Sequence, residues 1–130
     1  MSELSLDIQK KADYWASSTA FDAKTKAEIK ALIESQDSDA LADRFYKNLE
    51  FGTGGLRGLV GVGSCRMNVY NIRRATTALA FCLNKDDKFG SLRVAISYDS
   101  RLHSKSFAYA AAEVLAANGI KSTMTILLKQ

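Results

Sequence analysis

Leu92-Arg93-Val94-Ala95-Ile96-Ser97-Tyr98-Asp99-Ser100-Arg101 and the residues that follow it to Leu128 decide the fold. Leu92, Val94, Ile96 and Tyr98 alternate with Arg93, Ala95 and Ser97, the two-residue period of a strand. Ser104 has the side chain of a helix N-cap, and Phe107, Ala111, Val114 and Leu115 then fall on one helical face. Asn118-Gly119 supplies the left-handed stop that ends such a helix, and Ile120 to Leu128 reads as a second strand. Strand, helix and strand at this spacing predict a right-handed β-α-β unit with a parallel pair, hence an α/β sheet flanked by helices. Ligands of such sheets lie beyond the C-terminal strand ends, where Asp99-Ser100-Arg101 falls.

Upstream, Val69, Ile72, Thr76, Leu79, Ala80 and Leu83 share a face over 69–84, a helix that Asn68 or Asn71 can begin. Leu59-Val60-Gly61-Val62 reads as a short strand. Before it stands Phe51-Gly52-Thr53-Gly54-Gly55-Leu56-Arg57-Gly58. Four glycines let the backbone bend sharply and another group come close. Successive N–H groups of such a bend can cradle an anion. Thr53 adds a neutral donor, and Arg57 a permanently charged fork suited to phosphate oxygens. Two readings stand: a site for a phosphorylated ligand at Thr53, Gly54, Gly55 and Arg57, or a tight structural turn with a surface arginine.

Residues 1–50 read as helices. Leu6, Ile8, Ala12 and Trp15 mark a first; Ala27, Ile29, Leu32 and Ile33 a second, behind Asp22 as N-cap. Asp37 or Ser38 begins a third, in which Leu41, Phe45 and Leu49 recur every fourth residue.

The 130 residues suffice for one domain or part of one, and 47% apolar with 25% charged residues is a globular composition. No apolar run is long enough to span a bilayer and no secretory leader pattern opens the chain, so a soluble, cytoplasmic protein is expected. Charge is uneven: the first fifty residues sum to −3 and the remainder to +7. The basic part attracts anions. Its cations are scattered, with only Arg73 and Arg74 adjacent, and no nucleic-acid signature accompanies them, so nucleic acid is not an expected partner.

Other candidates read as structural. Asp37, Asp39 and Asp43 with Arg44 lie at a helix start, where capping is the simpler role than metal binding. His103, the sole histidine, and the hydroxyls of Ser100 and Ser104 have no base or nucleophile at catalytic spacing. Cys65 and Cys82 fit no metal or redox spacing and are expected to be reduced thiols. Asp99 can cap its turn, and Arg101 can pair with it or meet a ligand.

Three ordered segments resemble the α-D-phosphohexomutases, the phosphoglucomutase and phosphomannomutase family. Residues 51–58 match its Phe-Gly-Thr-Ser/Gly/Asp-Gly-Leu/Ile-Arg-Gly signature. Arg66-Met67-Asn68-Val69-Tyr70-Asn71 is similar to the entrance of its first core helix. Ser97-Tyr98-Asp99-Ser100-Arg101 with Ser104 and Phe107 resembles Gly-Tyr-Asp-Ser-Arg…Ser…Phe, Ser97 replacing the usual glycine. The fold implied is part of the family's α/β domain I, a mixed sheet with a β-α-β unit flanked by helices, over residues 51–130. Residues 1–50 form an N-terminal helical extension of the phosphoglucomutase/phosphopentomutase type.

The resemblance places Thr53 and Arg57 beside a phosphoserine, and gives Asp99 and Arg101 a supporting role in the cleft. It implies Mg²⁺ and glucose-1,6-bisphosphate for the parent enzyme, neither of them expected on this chain, and a sugar phosphate as substrate. The Thr-Ala-Ser-His-Asn-Pro-like serine segment, the aspartate-rich metal loop, the sugar-discriminating loop and the terminal phosphate-binding domain are not among these residues. The resemblance therefore puts the nucleophilic serine beyond Gln130, and no catalytic residue is expected within the 130 residues. The expectation is a domain I cut before its serine loop, inactive alone, with an open 120–128 strand edge that self-associates weakly. The alternatives are a stand-alone module that holds a phosphorylated metabolite without chemistry, and an interaction domain whose arginine loop is vestigial.

Overall fold

A computed structural model describes residues 3–87 and 90–127. In chain order its elements are α1 (Glu3–Ser17), α2 (Ala23–Glu34), α3 (Ser38–Phe45), β1 (Phe51–Gly52), β2 (Gly55–Leu56), α4 (Val69–Asp86), β3 (Arg93–Tyr98), α5 (Ser104–Ala117) and β4 (Lys121–Ile126). They form two compact units, one up to Asn68 and one from Val69. The α/β class follows from these elements, with the antiparallel pair β1-β2 and the parallel pair β3-β4 in separate sheets.

In the first unit α1, α2 and α3 pack around Ile29 and Phe45, both fully buried. Trp15 stacks on Phe21 with ring centroids 4.3 Å apart and meets Phe45 edge-on at 5.8 Å. These contacts explain why α1 turns Ala12, Trp15 and Ala16 inward. Leu6, expected on the same face, is instead half-exposed. Asp22 and Asp37 cap α2 and α3, accepting from the N–H groups of Thr25 and Ala40. The third helix stops at Phe45, so Leu49 lies outside it; the every-fourth-residue spacing continues past the helix because Leu49 packs beside Gly58 rather than along α3.

The end of α2 is a Schellman motif: Asp37 N–H donates to Leu32 C=O and Gln36 N–H to Ile33 C=O, with Gln36 itself left-handed at φ 55°. No strand forms over Leu59–Val62. Its backbone makes one isolated parallel bridge, Val60 to Met67, and the side chains of Leu59 and Val60 are exposed, so no apolar face holds a strand there.

In the second unit β3 and β4 pair in parallel from Arg93↔Lys121 to Tyr98↔Ile126, joined through α5. β3 begins one residue after the expected Leu92 and ends at Tyr98 as expected, and β4 spans Lys121–Ile126, inside the expected 120–128. Leu128, the expected end of the second strand, and Gln130, past which the nucleophilic serine is expected, both lie outside the described residues. Val94 and Ile96 pack onto Leu115, Ile120 and Ala80, the core of this unit. Burying side chains the size of Leu115 and Ile120 contributes about 1.5–3 kcal/mol each. Gly119, at φ 75°, ends α5 in a second Schellman motif: Gly119 N–H donates to Ala116 C=O and Ile120 N–H to Leu115 C=O. Its apolar pair, Leu115 and Ile120, is the core itself.

Helix α5 begins one residue earlier than expected. His103 occupies the flanking position in a left-handed conformation, φ 71°, without a side-chain cap, and Ser104 is the first helical residue. The Ser104 hydroxyl is engaged elsewhere, accepting from the N–H of Asp99.

Candidate functional site

The glycine loop is a two-residue hairpin. Phe51 pairs with Leu56 and Gly52 with Gly55, leaving Thr53 and Gly54 at the tip. Gly55 has φ 108°, a conformation side-chain-bearing residues rarely adopt, so glycine is required at this position. At Gly54 the requirement is space: a Cβ there would lie 3.0 Å from Arg57 Nη2. The guanidinium therefore folds back across the bare tip. Gly52, Thr53, Gly54, Gly55 and Arg57 line one open hollow of about 400 Å³, with Glu50 on its rim. Among the described residues no carboxylate forms a salt bridge with Arg57. A small concavity with one unpaired planar cation and bare backbone suits an anion the size of a phosphate group.

The segment that follows the hairpin, residues 61–66, is tied to α3 and to residues 47–49 by a polar frame. Arg44, in the last turn of α3, donates to Val62 C=O at 2.9 Å and lies 3.3 Å from Glu28 of α2. Its own carbonyl accepts from Cys65 N–H. Asn68 donates to the carbonyls of Gly61 and Gly63, both at 2.9 Å. The Ser64 hydroxyl donates to Lys47 C=O, and Leu49 N–H donates to Ser64 C=O. Asp43 pairs with Arg66. The aspartates thus have local tasks: Asp37 caps α3, and Asp43 ties α3 to the loop. Among the described residues no three His, Cys, Asp or Glu side chains converge to hold a metal ion, so the Mg²⁺ implied by the resemblance has no fitting ligand set here.

At the end of β3, Asp99 organises a turn. One carboxylate oxygen accepts from Arg101 N–H at 3.0 Å, the other from Arg101 Nε at 2.8 Å. With Asp99 N–H donating to Ser104 Oγ, this turn is braced against the first residue of α5. The Arg101 N–H bond chiefly holds the Asp99 carboxyl below the usual carboxylate range; desolvation opposes it as the next largest influence, and the Ser104 and Arg101 side chains add to the lowering. Arg101 nevertheless remains 81% exposed along its side chain. Thr53, Gly54, Gly55 and Arg57 come together in the first unit; Asp99 and Arg101 come together in the second.

Sequence reasoning passed over three features. Glu50 on the hollow's rim shows no pattern of its own. Asn68, read only as a helix start, donates its amide to the carbonyls of Gly61 and Gly63, after the hairpin. Arg73 and Lys105, among scattered cations, line a hollow with Arg101 that only folding assembles. Cys65 is buried and Cys82 exposed, both as free thiols.

A hairpin presenting Arg57 over bare backbone, followed by a helix, a parallel β-α-β unit and an Asp-Ser-Arg turn at the strand end, defines an α/β domain of the phosphosugar mutase kind. Residues 48–128 match the family model described as phosphoglucomutase/phosphomannomutase, alpha/beta/alpha domain I, and the chain belongs to that family. It is 35% identical over 97 residues to a phosphoglucomutase of Staphylococcus saprophyticus, covering 75% of this chain and 17% of that protein. A phosphoribomutase of Saccharomyces cerevisiae is 35% identical over 98 residues, 75% of this chain and 16% of that protein. A phosphopentomutase of Homo sapiens is 35% identical over 101 residues, 71% and 16% of the respective lengths. The chain thus spans about one sixth of the length of these relatives. No solved structure gives a significant match. No helix among the described residues is long and apolar enough to cross a membrane.

Proposed function

We propose that this chain is the N-terminal portion of an enzyme that moves a phosphoryl group between positions of a sugar phosphate, by way of a phosphoserine and a sugar bisphosphate. Its glycine hairpin receives the phosphate group: Arg57 faces the anionic oxygens, Thr53 offers its hydroxyl, and Gly54 and Gly55 leave the backbone bare enough for close approach. Phosphoryl transfer depends on positioning and on neutralising charge on the transferred group. A planar guanidinium that forms no salt bridge among the described residues supplies both, with Glu50 the one carboxylate lining the hollow. Asp99 serves by holding the turn that presents Arg101, a positioning role rather than a contact with the reacting atoms. No step in this reading runs through a metal ion. Glucose-1,6-bisphosphate is the activating ligand of the complete enzyme, and the 130 residues alone, lacking a serine segment of the family's kind, do not turn substrate over.

The observation that supports this reading is the arrangement of Arg57 across Gly54 in the hollow that also contains Thr53. Calorimetric titration of glucose 1-phosphate against unphosphorylated glucose tests it. Saturable heat with the phosphate ester and none with glucose is expected; equal responses overturn the reading. A module that binds without chemistry would give the same titration. The two differ in the full-length protein, where interconversion of sugar phosphates is expected only of the enzyme.

A further inference from the structure

The second unit holds a cationic hollow that no part of the hairpin reading uses. Its volume is about 730 Å³, and it is lined by the first turn of α4, the Ser100–His103 turn and the start of α5. Arg73, Arg101 and Lys105 bring three permanent cations to it, against Glu113 as the one carboxylate in the lining. Arg101 is paired with Asp99. Among the described residues no carboxylate forms a salt bridge with Arg73 or Lys105. Both instead lie over tyrosine rings, Arg73 over Tyr70 and Lys105 over Tyr109, each 5.9 Å from the centroid. Such stacking restrains a long cation without neutralising it. Two uncompensated charges held around one concavity repel each other, a cost that an anion between them removes. The first N–H groups of the 14-residue α5 add partial positive charge on the same wall, and Ser100 contributes a hydroxyl.

We infer that this hollow is an anion site for a dianionic phosphate group, held between Arg73 and Lys105 with Arg101 at its edge. The site is independent of the hairpin, since every lining residue belongs to the second unit. The same chemistry is offered by inorganic phosphate and by a phosphate ester of a sugar, and separate arms of one experiment distinguish them.

The test follows backbone amide resonances of the 130-residue chain carrying Arg57→Ala, which silences the hairpin. Inorganic phosphate is titrated in one arm and glucose 6-phosphate in the other, at constant ionic strength with chloride as control. Saturable shifts at Ser100 to Ser106 with either ligand are expected, and the tighter one identifies the source. Adding Arg73→Gln and Lys105→Gln, which remove the charges but keep polar side chains, should weaken binding about tenfold or more. Shifts matched by chloride, or affinity unchanged by the two glutamines, overturn the assignment. Failure of this site leaves the hairpin reading standing, because that one is measured with Arg57 intact.

Discussion

Arg57 reaches back over Gly54, its Nη2 nitrogen 3.0 Å from the place a β-carbon on Gly54 would take. The neighbour of that missing carbon is the far end of a flexible side chain, not main chain, and Gly54 is not among the glycines of positive φ. Gly54→Ala should therefore fold normally yet push the guanidinium aside. The expected outcome is an unchanged melting temperature with phosphate affinity reduced by about three- to tenfold, the net worth of one ordinary hydrogen bond, since the guanidinium is displaced rather than removed. Parallel thermal melts and phosphate titrations of the variant check it.

Gly63 is the opposite case. A β-carbon there would lie 2.6 Å from Arg44 O and 2.8 Å from Arg44 Cβ, at φ 135°. Main chain cannot yield as a side-chain tip does, so Gly63→Ala should destabilise the chain by about 2 kcal/mol or more through strain and overpacking. Chemical denaturation compared with the parent chain measures it.

Gln36 carries a left-handed conformation, φ 55°, that its side chain disfavours. The position is exposed and closes a Schellman motif, so Gln36→Gly should stabilise the chain by up to about 1 kcal/mol, offset partly by the greater freedom of glycine in the unfolded chain. A raised denaturation midpoint with an unchanged slope is the expected result.

Asp99 gives a pH signature. Its carboxyl is held below the usual range by the Arg101 N–H bond, so folding favours the ionised form. That contribution is present above about pH 4, the ordinary carboxylate value, and is lost as pH falls through the lowered folded value. Asp99→Asn should narrow the difference between neutral and acid melting temperatures, with the two proteins converging at a pH below the lowered folded value. The effect is small because the side chain is solvent-facing.

Much of this was readable from residue order. Gly119 and the alternation of Val94, Ile96 and Tyr98 announce the β-α-β unit because stop signal and period are local properties. Asp22 and Asp37 announced their helices for the same reason. Leu49 and the 59–62 segment misled because spacing does not reveal where a neighbouring glycine lets a side chain pack. The hairpin was visible as four glycines and an arginine. The frame of the segment after it was not: the amide of Asn68 and the guanidinium of Arg44 act across 5 to 18 residues of sequence, on carbonyls that carry no side-chain pattern. Ser104 looked like a cap, yet folding turned its hydroxyl toward Asp99.

The proposed recognition of phosphate by the hairpin rests on one side chain. Inorganic phosphate titrated into the 130-residue chain, followed at the amides of Thr53, Gly54 and Gly55, should give saturable shifts that Arg57→Ala weakens by about tenfold or more. Shifts of the same size and affinity in Arg57→Ala, or none in the parent chain, would contradict it.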